Sequence, residues 1–441
     1  MTDALREALA EVLGGAAITG LRRLTAGASR ETWSFDADGR ELVLRRDPPE
    51  VPRPVEVRRE AECFRAAARA GVPIPRLVAT GDGSDAVGSP YLIMERLDGE
   101  TLPPRLLREE RFAAARAGLA RELGRTLARL HTIPPDEVPS LEHVDDPLGR
   151  LRAEHDAYGE PRPALEVAFR ALSAHPPSGT APAVVHGDFR HGNLLVGEDG
   201  LRAVLDWELA HVGDPREDLG WLCLRAWRFG AEAEVGGFGS LDELLDGYAE
   251  LAERPDPAAV RWWELYACVH WAVICRMQAE RHLGGSERSM EMAVLGRRAV
   301  EAEYDALLVL GLVAPEDPLP EVAATTTGSD RPTVDELLDA VSGALVGELT
   351  FADDRSRYLA RVARTGLGVV AREVSLGPEL RRQHLDRLAD AGCPDDVALV
   401  AGLRDGSLDP DDEAVSAAVR SSTLTRLAVA NPRYPQPRPR R

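Results

Sequence analysis

A chain of 441 residues is too long for one ordinary domain, and its 44% hydrophobic share is enough to fill about two or three cores. Its 73 acidic residues outnumber 53 basic ones for a formal net charge of −20, which argues against a nucleic-acid partner held by clustered positive charge. Five scattered cysteines without a CxxC pair argue against a zinc site or disulfide framework, and no apolar run approaches a membrane span.

All the basic residues are arginine; the chain contains no lysine. Met1 to Leu13 mixes polar and apolar residues and reads as a short amphipathic helix rather than a leader, so a cytoplasmic setting is expected. Leu21 to Leu24 and Glu31 to Phe35 read as strands flanking the turn Thr25-Ala26-Gly27-Ala28-Ser29-Arg30. Glu41 to Arg45 alternates as a strand, and its period of two puts Arg45 and Arg46 on opposite faces. A helix from about Val55 to Ala70 carries Arg58, Arg59, Glu60 and Glu62, and Gly71 and Pro73 end it. Tyr91 to Glu95 reads as a buried strand. Arg111 to His131 reads as a helix with Leu119, Leu123, Leu127 and Leu130 on one face.

The most informative stretch follows, Val184 to Val196, VVHGDFRHGNLLV, with LDWE at Leu205 to Glu208. Asp188 precedes Asn193 with the D-x-x-x-x-N spacing of a kinase catalytic loop. Phosphoryl transfer needs one carboxylate to orient or deprotonate the acceptor hydroxyl, and an amide oxygen with a second carboxylate to hold Mg²⁺. Asp188, Asn193 and Asp206 supply those groups. Two short apolar runs around Gly197-Glu198-Asp199-Gly200 predict a hairpin. Pairing Val196 with Ala203 would set Asn193 opposite Asp206 at one end of it.

His186-Gly187-Asp188 through Asn193, then Asp206-Trp207-Glu208, resembles the aminoglycoside phosphotransferase (choline kinase-like) superfamily. ELAHVGDPREDLGWL, Glu208 to Leu222, resembles it too, and the likeness covers roughly residues 20 to 310. Within the superfamily the chain looks most like the subgroup resembling the kinase halves of multidomain acyl-CoA dehydrogenases. The resemblance implies a bilobal α+β, protein-kinase-like fold, with ATP and Mg²⁺ as cofactors. It implies that the turn at Gly27 and Ser29 covers the nucleotide phosphates. Arg45 stands where kinases carry a lysine, and Glu60 is the helix acid that pairs with it. The strand end at Met94 and Glu95 is the hinge whose backbone meets adenine. His186 supports Asp188 in the catalytic group, and Asn193 and Asp206 are the metal ligands.

Trp263, Ala267, His270, Trp271 and Ile274 fall at core spacing on a helix from Arg261 to His282, which in this family borders the acceptor pocket. Residues 314–332 turn rich in Pro, Thr and acid and read as a linker. Thr333-Val334-Asp335-Glu336 is a capping box that starts a helical unit, and Gly377-Pro378 opens a further helix closed by Gly392. That unit resembles a small helical domain of unknown function. The expected organisation is an N-lobe over 1–97, a C-lobe over 98–313, a linker over 314–332, an all-α domain over 333–430, and a disordered tail over 431–441. Residues 1–315 are expected to fold and bind ATP by themselves. The expected activity is phosphorylation of a small-molecule hydroxyl, a hydroxyacyl-CoA or hydroxyacid first and an aminoglycoside or choline-like alcohol second. A nucleotide-binding pseudokinase is the alternative of another class. The expected partners are the small-molecule acceptor and, through the C-terminal helices, a second copy or another protein, with no nucleic acid and no membrane.

Overall fold

The computed structural model describes residues 2–24, 30–324, 331–351 and 353–435. The chain forms two compact units, one of Met1–Asp145 with Ser178–Val260, the other of Asp146–Pro177 with Arg261–Arg441.

The first unit is built on a five-stranded sheet. Its strands are β1 (Ile18–Leu24), β2 (Glu31–Ala37), β3 (Arg40–Arg46), β4 (Leu77–Asp82) and β5 (Pro90–Glu95), in the order β1-β2-β3-β5-β4 with every pair antiparallel. Strand alternation feeds two cores from the two faces. Leu42, Leu44, Tyr91 and Ile93 join Trp33 and Phe35 under the helix Thr2–Val12. Val43, Leu92 and Met94 point the other way, into a larger core with the helix Pro54–Arg69. That helix starts with Pro54 in its first turn, where a missing N–H costs nothing. It buries Val57, Glu60, Ala61, Phe64 and Ala67 at helical spacing, and Gly71 beyond its end takes φ +74°. Full burial of a side chain such as Phe64 contributes about 1.5–3 kcal/mol.

The same large core continues into Leu119, Leu123, Leu127 and Leu130 of the helix Ala113–Leu130. This helix crosses the helix Leu241–Ala249 at a pair of glycines. A Cβ on Gly124 would lie 2.0 Å from the Leu244 carbonyl oxygen, and one on Gly247 2.0 Å from the Arg121 carbonyl oxygen. The chain then forms β6 (Ala183–Val185), the ribbon β7 (Leu194–Gly197) with β8 (Gly200–Val204), and β9 (His211–Gly213), which pairs with β6.

The ribbon corrects the expected register. Leu194 pairs with Val204 and Leu195 with Ala203, but a bulge then sets Val196 against Leu201. The cause is the tight turn, which sets Gly197 against Gly200; the bulge adds one residue on the Arg202 side. Asn193 therefore stands opposite Leu205, whose N–H donates to the Asn193 carbonyl at 2.7 Å, and Asp206 is the next residue along.

The second unit is helical among the described residues. Ala164 and Val167 of the helix Pro163–Ala174, with Val300, Tyr304 and Leu307 of the helix Ala299–Val309, share one core with Leu388, Leu399, Leu403, Val415, Ala418, Val419 and Leu427. Glu303 is fully buried between two guanidiniums, accepting from Arg162 Nη1 at 3.0 Å and Arg426 Nη2 at 2.7 Å. The division expected at residues 314–332 is therefore not where the compact units part, because apolar residues on both sides of it fill the same core. The tail also departs from expectation. Asn431 Nδ2 donates to Glu301 at 2.8 Å and the Tyr434 hydroxyl to Asp305 at 2.6 Å, so its first residues are docked; residues 436–441 lie outside the described residues. On the helix Pro257–Leu283, Trp263 and Ala267 are buried, while His270, Trp271 and Ile274 are half-buried. No helix among the described residues is long and apolar enough to cross a membrane.

Candidate active site

The catalytic loop leaves β6 at His186 and is held from below by Asp218, a fully buried carboxylate on the helix Arg216–Cys223. Asp218 accepts from the backbone N–H of His186 at 2.8 Å, from that of Gly187 at 3.0 Å, and pairs with His131 Nε2 at 3.2 Å. Burial pushes its carboxyl up, but the hydrogen bond and charge of His131 outweigh that and hold it below the ordinary range. Gly187 has φ +78°, and a Cβ there would meet the Leu209 carbonyl oxygen at 2.5 Å, so the turn admits only glycine.

His186, which the resemblance places in support of Asp188, meets it through the backbone and not through the carboxylate. Its ring is fully buried; Nδ1 accepts from the Asp188 N–H at 3.2 Å, so Nε2 carries the proton and donates to the Leu205 carbonyl at 3.0 Å. It thus ties the catalytic loop to the segment leading into Asp206. His191, inside the same loop, is also buried. Its ring packs on Phe229 and Phe238, and Nε2 bonds the Gly236 carbonyl at 2.5 Å. Burial pulls its pKa down to about 4; the Gly236 bond opposes that and the charge of Arg190 adds to it.

Asp188 is only half-buried and is heavily bonded. Its Oδ1 accepts from Arg190 Nε at 2.7 Å and Trp221 Nε1 at 3.0 Å, and its Oδ2 from Asn193 Nδ2 at 2.7 Å. With about two acceptor sites per oxygen, the remaining capacity lies on Oδ2, beside Asn193. Asn193 Nδ2 also donates to the Asp188 carbonyl at 2.9 Å, and its Oδ1 has no hydrogen-bond partner among the described residues. Asp206 has φ +64°, a left-handed turn that aspartate tolerates better than most residues. The turn directs its carboxylate to Arg45.

Arg45 lies on the β3 face shared with Val43. Its Nη1 donates to Glu60 Oε1 at 2.6 Å and its Nη2 to Asp206 Oδ1 at 2.8 Å. Arg46, on the other face, bonds Glu31 at 2.8 Å. One guanidinium thus spans the helix acid and the loop acid at once. Burial works against the charged form of Arg45, but Glu60 and Asp206 raise its pKa above the ordinary value. Burial likewise pushes Asp206 up, and the charge and hydrogen bond of Arg45 bring it below the usual carboxylate range. Glu208, beside them, is raised by burial and by Asp206. Glu60 carries a second guanidinium, that of Arg30, whose Nε also bonds buried Asp47 at 3.0 Å. The network Asp47–Arg30–Glu60–Arg45–Asp206 thus joins the start of β2, the helix Pro54–Arg69 and the catalytic ribbon.

The donors suit the groups the fold implies. Asn193 Oδ1 and the second oxygen of Asp206 are hard oxygen donors of the kind Mg²⁺ takes alongside water and phosphate. Arg45 can turn its planar fork to a phosphate. Gly27 and Ser29 lie outside the described residues. Met94 is buried in the core, while the Glu95 side chain pairs with Arg76 at 2.5 Å and its N–H with the Arg76 carbonyl at 3.0 Å. The sequence reading did not single out Arg30, Arg190 or Trp221. Arg190 and Trp221 lie within quoted motifs, but neither has a spacing that marks it.

Residues 20–263 match the phosphotransferase enzyme family, and the chain belongs to that family. Residues 350–434 match a domain of unknown function. The chain is 30% identical over 237 residues to acyl-CoA dehydrogenase family member 10 of Mus musculus, a match covering 50% of this chain and 22% of that protein. It therefore spans about a fifth of that relative's length. Among solved structures, a Ralstonia eutropha JMP134 protein assigned as an aminoglycoside phosphotransferase has a TM-score of 0.58 at 22% identity, covering 70% of this chain and 98% of the other. The GDP complex of aminoglycoside 2'-phosphotransferase-IIIa has a TM-score of 0.51 at 16% identity, covering 69% and 98%. These likenesses establish the kinase-like fold.

Proposed function

We propose that the protein is an ATP-dependent kinase that phosphorylates a hydroxyl of a small molecule. The observation that carries this reading is the pairing of Asp188 Oδ2 with Asn193 Nδ2 at 2.7 Å, beside the Arg45 bridge from Glu60 to Asp206. In this reading Asp188 Oδ2 takes the acceptor hydroxyl as a hydrogen-bond donor and orients it, or takes its proton. Arg45, fixed by Glu60, binds phosphate oxygens, and Gly27 and Ser29 cover them. Asn193 and Asp206 would hold Mg²⁺, which when bound neutralises phosphate charge. Met94 and Glu95 form the adenine hinge. His186 and Asp218 keep the loop in place.

The acceptor we favour is a hydroxyacyl-CoA or hydroxyacid. Support comes from the relative named as an acyl-CoA dehydrogenase, where a kinase-like segment is joined to acyl-CoA chemistry. The buried, unbridged cysteines fit a reducing, cytoplasmic setting. A pseudokinase is disfavoured because Asp188, Asn193 and Asp206 are all present. The test is ATP consumption across hydroxyacids, hydroxyacyl-CoAs, aminoglycosides and amino alcohols. Turnover confined to acyl substrates supports the reading. Turnover confined to aminoglycosides or amino alcohols replaces the acceptor class, and nucleotide binding without turnover on any acceptor or water favours the pseudokinase.

A further inference from the structure

The second unit holds a cavity of about 440 Å³. That is within the range of small-molecule sites, whereas the voids of an ordinary core seldom exceed a water molecule. Every residue that lines it belongs to this unit, and the catalytic loop belongs to the other. Its main walls are two helices, Gly377–Asp390 and Glu413–Ala430. Helical spacing puts Leu380, Arg381, His384 and Leu388 on the lining face of the first, and Arg426 and Val429 on that of the second. The lining is divided in character. Val300, Leu380, Leu388 and Val429 are buried core residues and make an apolar part, while Arg162, Arg381 and Arg426 bring three guanidiniums.

The bonds already made decide what the cavity can take. Among its carboxylates, Glu373 accepts from Arg297 Nη2 at 2.5 Å and Asp395 caps its helix by accepting from the Ala398 N–H at 2.8 Å. Asp396 Oδ1 meets His384 Nε2 at 3.1 Å, and His384 Nδ1 meets Ser421 Oγ at 3.1 Å, so both ring nitrogens are engaged. The guanidiniums are less fully used. Arg381 is exposed and has no partner among the described residues. Arg162 is held by two carboxylates, Glu160 at 2.5 Å and Glu303 at 3.0 Å, but Arg426 by Glu303 alone among the described residues. Of about five N–H groups on a guanidinium, Arg426 gives the rest of its bonds to Ser422, and one N–H on Nη1 is left over. Burial, with the charge of Arg162, holds its pKa below the ordinary value against the pull of Glu303 and Asp396. Its side chain is nonetheless 32% exposed, so a ligand in the cavity can reach it. A further anion there would complete its compensation.

We propose that this cavity is a second ligand site that takes a small organic carboxylate with an apolar body. The carboxylate lies at the guanidinium side, with Arg381 and Arg426, and the apolar body lies against Val300, Leu380, Leu388 and Val429. A carboxylate suits the planar guanidinium fork and needs few donors, which is what the arginines have left. The apolar part of the lining gives the rest of the molecule a place out of water. A cleft left by loose packing between two amphipathic helices would have no need of an unpaired arginine on its wall.

The test is calorimetric titration of the full-length protein with butanoate, octanoate and dodecanoate, and with octanol and octylamine as neutral and cationic counterparts. Arg381→Glu and Arg381→Lys are titrated alongside. Arg381 is exposed and unpartnered, so both variants are expected to fold, and melting curves check this. The expected result is saturable binding of one carboxylate per chain, with octanol weaker than octanoate by about tenfold or more, as the loss of a charge-assisted bond implies. Arg381→Glu is expected to weaken the carboxylate by about tenfold or more and Arg381→Lys to keep most of the affinity. No saturable binding of any of the three carboxylates to wild-type protein would overturn the proposal. So would octanol or octylamine binding as tightly as octanoate, which would mean that the cavity does not recognise an anion. Carboxylate binding unchanged in a folded Arg381→Glu would place the ligand elsewhere and overturn it as well.

Discussion

Asp188 has one free acceptor position and three fixed donors around it. Replacing it with asparagine keeps the shape but removes the base. Asp188→Asn is expected to bind ATP within a few-fold of wild type and to lower turnover by on the order of 10²-fold or more, the range for losing a positioned base. Calorimetry and steady-state hydrolysis check the two halves separately; near-wild-type turnover would move the chemistry to another residue. That Asp188 and Asn193 meet was legible because their spacing is itself the signal. So was the Arg45–Glu60 pair, given the resemblance. The Arg45–Asp206 bond was not, since it joins residues 161 apart through the length of one guanidinium. Arg30 was invisible for a similar reason: its partners Asp47 and Glu60 are set by the sheet and a helix, and no local pattern links them.

The strands and long helices followed from period-two and period-3.6 patterns. Ile18–Leu24, Arg40–Arg46, Ala113–Leu130 and Pro257–Leu283 all fall within a few residues of the expected bounds. The ribbon register did not, because the turn closes tightly between Gly197 and Gly200 and a bulge offsets the pairs beyond it, neither of which the short apolar runs mark. β4 was missed because LVATGD carries no sustained alternation. The crossing of Ala113–Leu130 and Leu241–Ala249 shows another limit: two ordinary helical glycines become critical only when they meet backbone. Gly247→Ala is expected to destabilise by about 1–3 kcal/mol, as overpacking does in a filled core. Urea unfolding of the two proteins measures it, and an unchanged midpoint would show that the helices can separate without loss.

At the scale of the whole chain, composition predicts a linker over residues 314–332, and apolar residues on both sides of it share one core. Compositional bias reports what a segment is made of, whereas a core is defined by what its neighbours bury. A chain ending at residue 315 would keep Glu303 but lose Arg426, and would uncover Val300, Tyr304 and Leu307. Leaving a buried carboxylate with part of its pairing and opening an apolar core are each destabilising by about 3 kcal/mol or more. The truncated protein is therefore expected to be insoluble, or to melt well below the full chain. A fragment that melts at the full-length temperature would show that the helices after 333 are dispensable for the first part of the unit.

Asp206 and Asn193 are expected to form a metal-dependent nucleotide site with Arg45. Calorimetric titration of ATP into the full-length protein, with and without Mg²⁺, and into Asp206→Asn tests it most directly. The expected result is binding at least about tenfold tighter with Mg²⁺, and loss of that difference in Asp206→Asn. Equal affinity with and without the metal, or a variant that keeps the full metal effect, would contradict it.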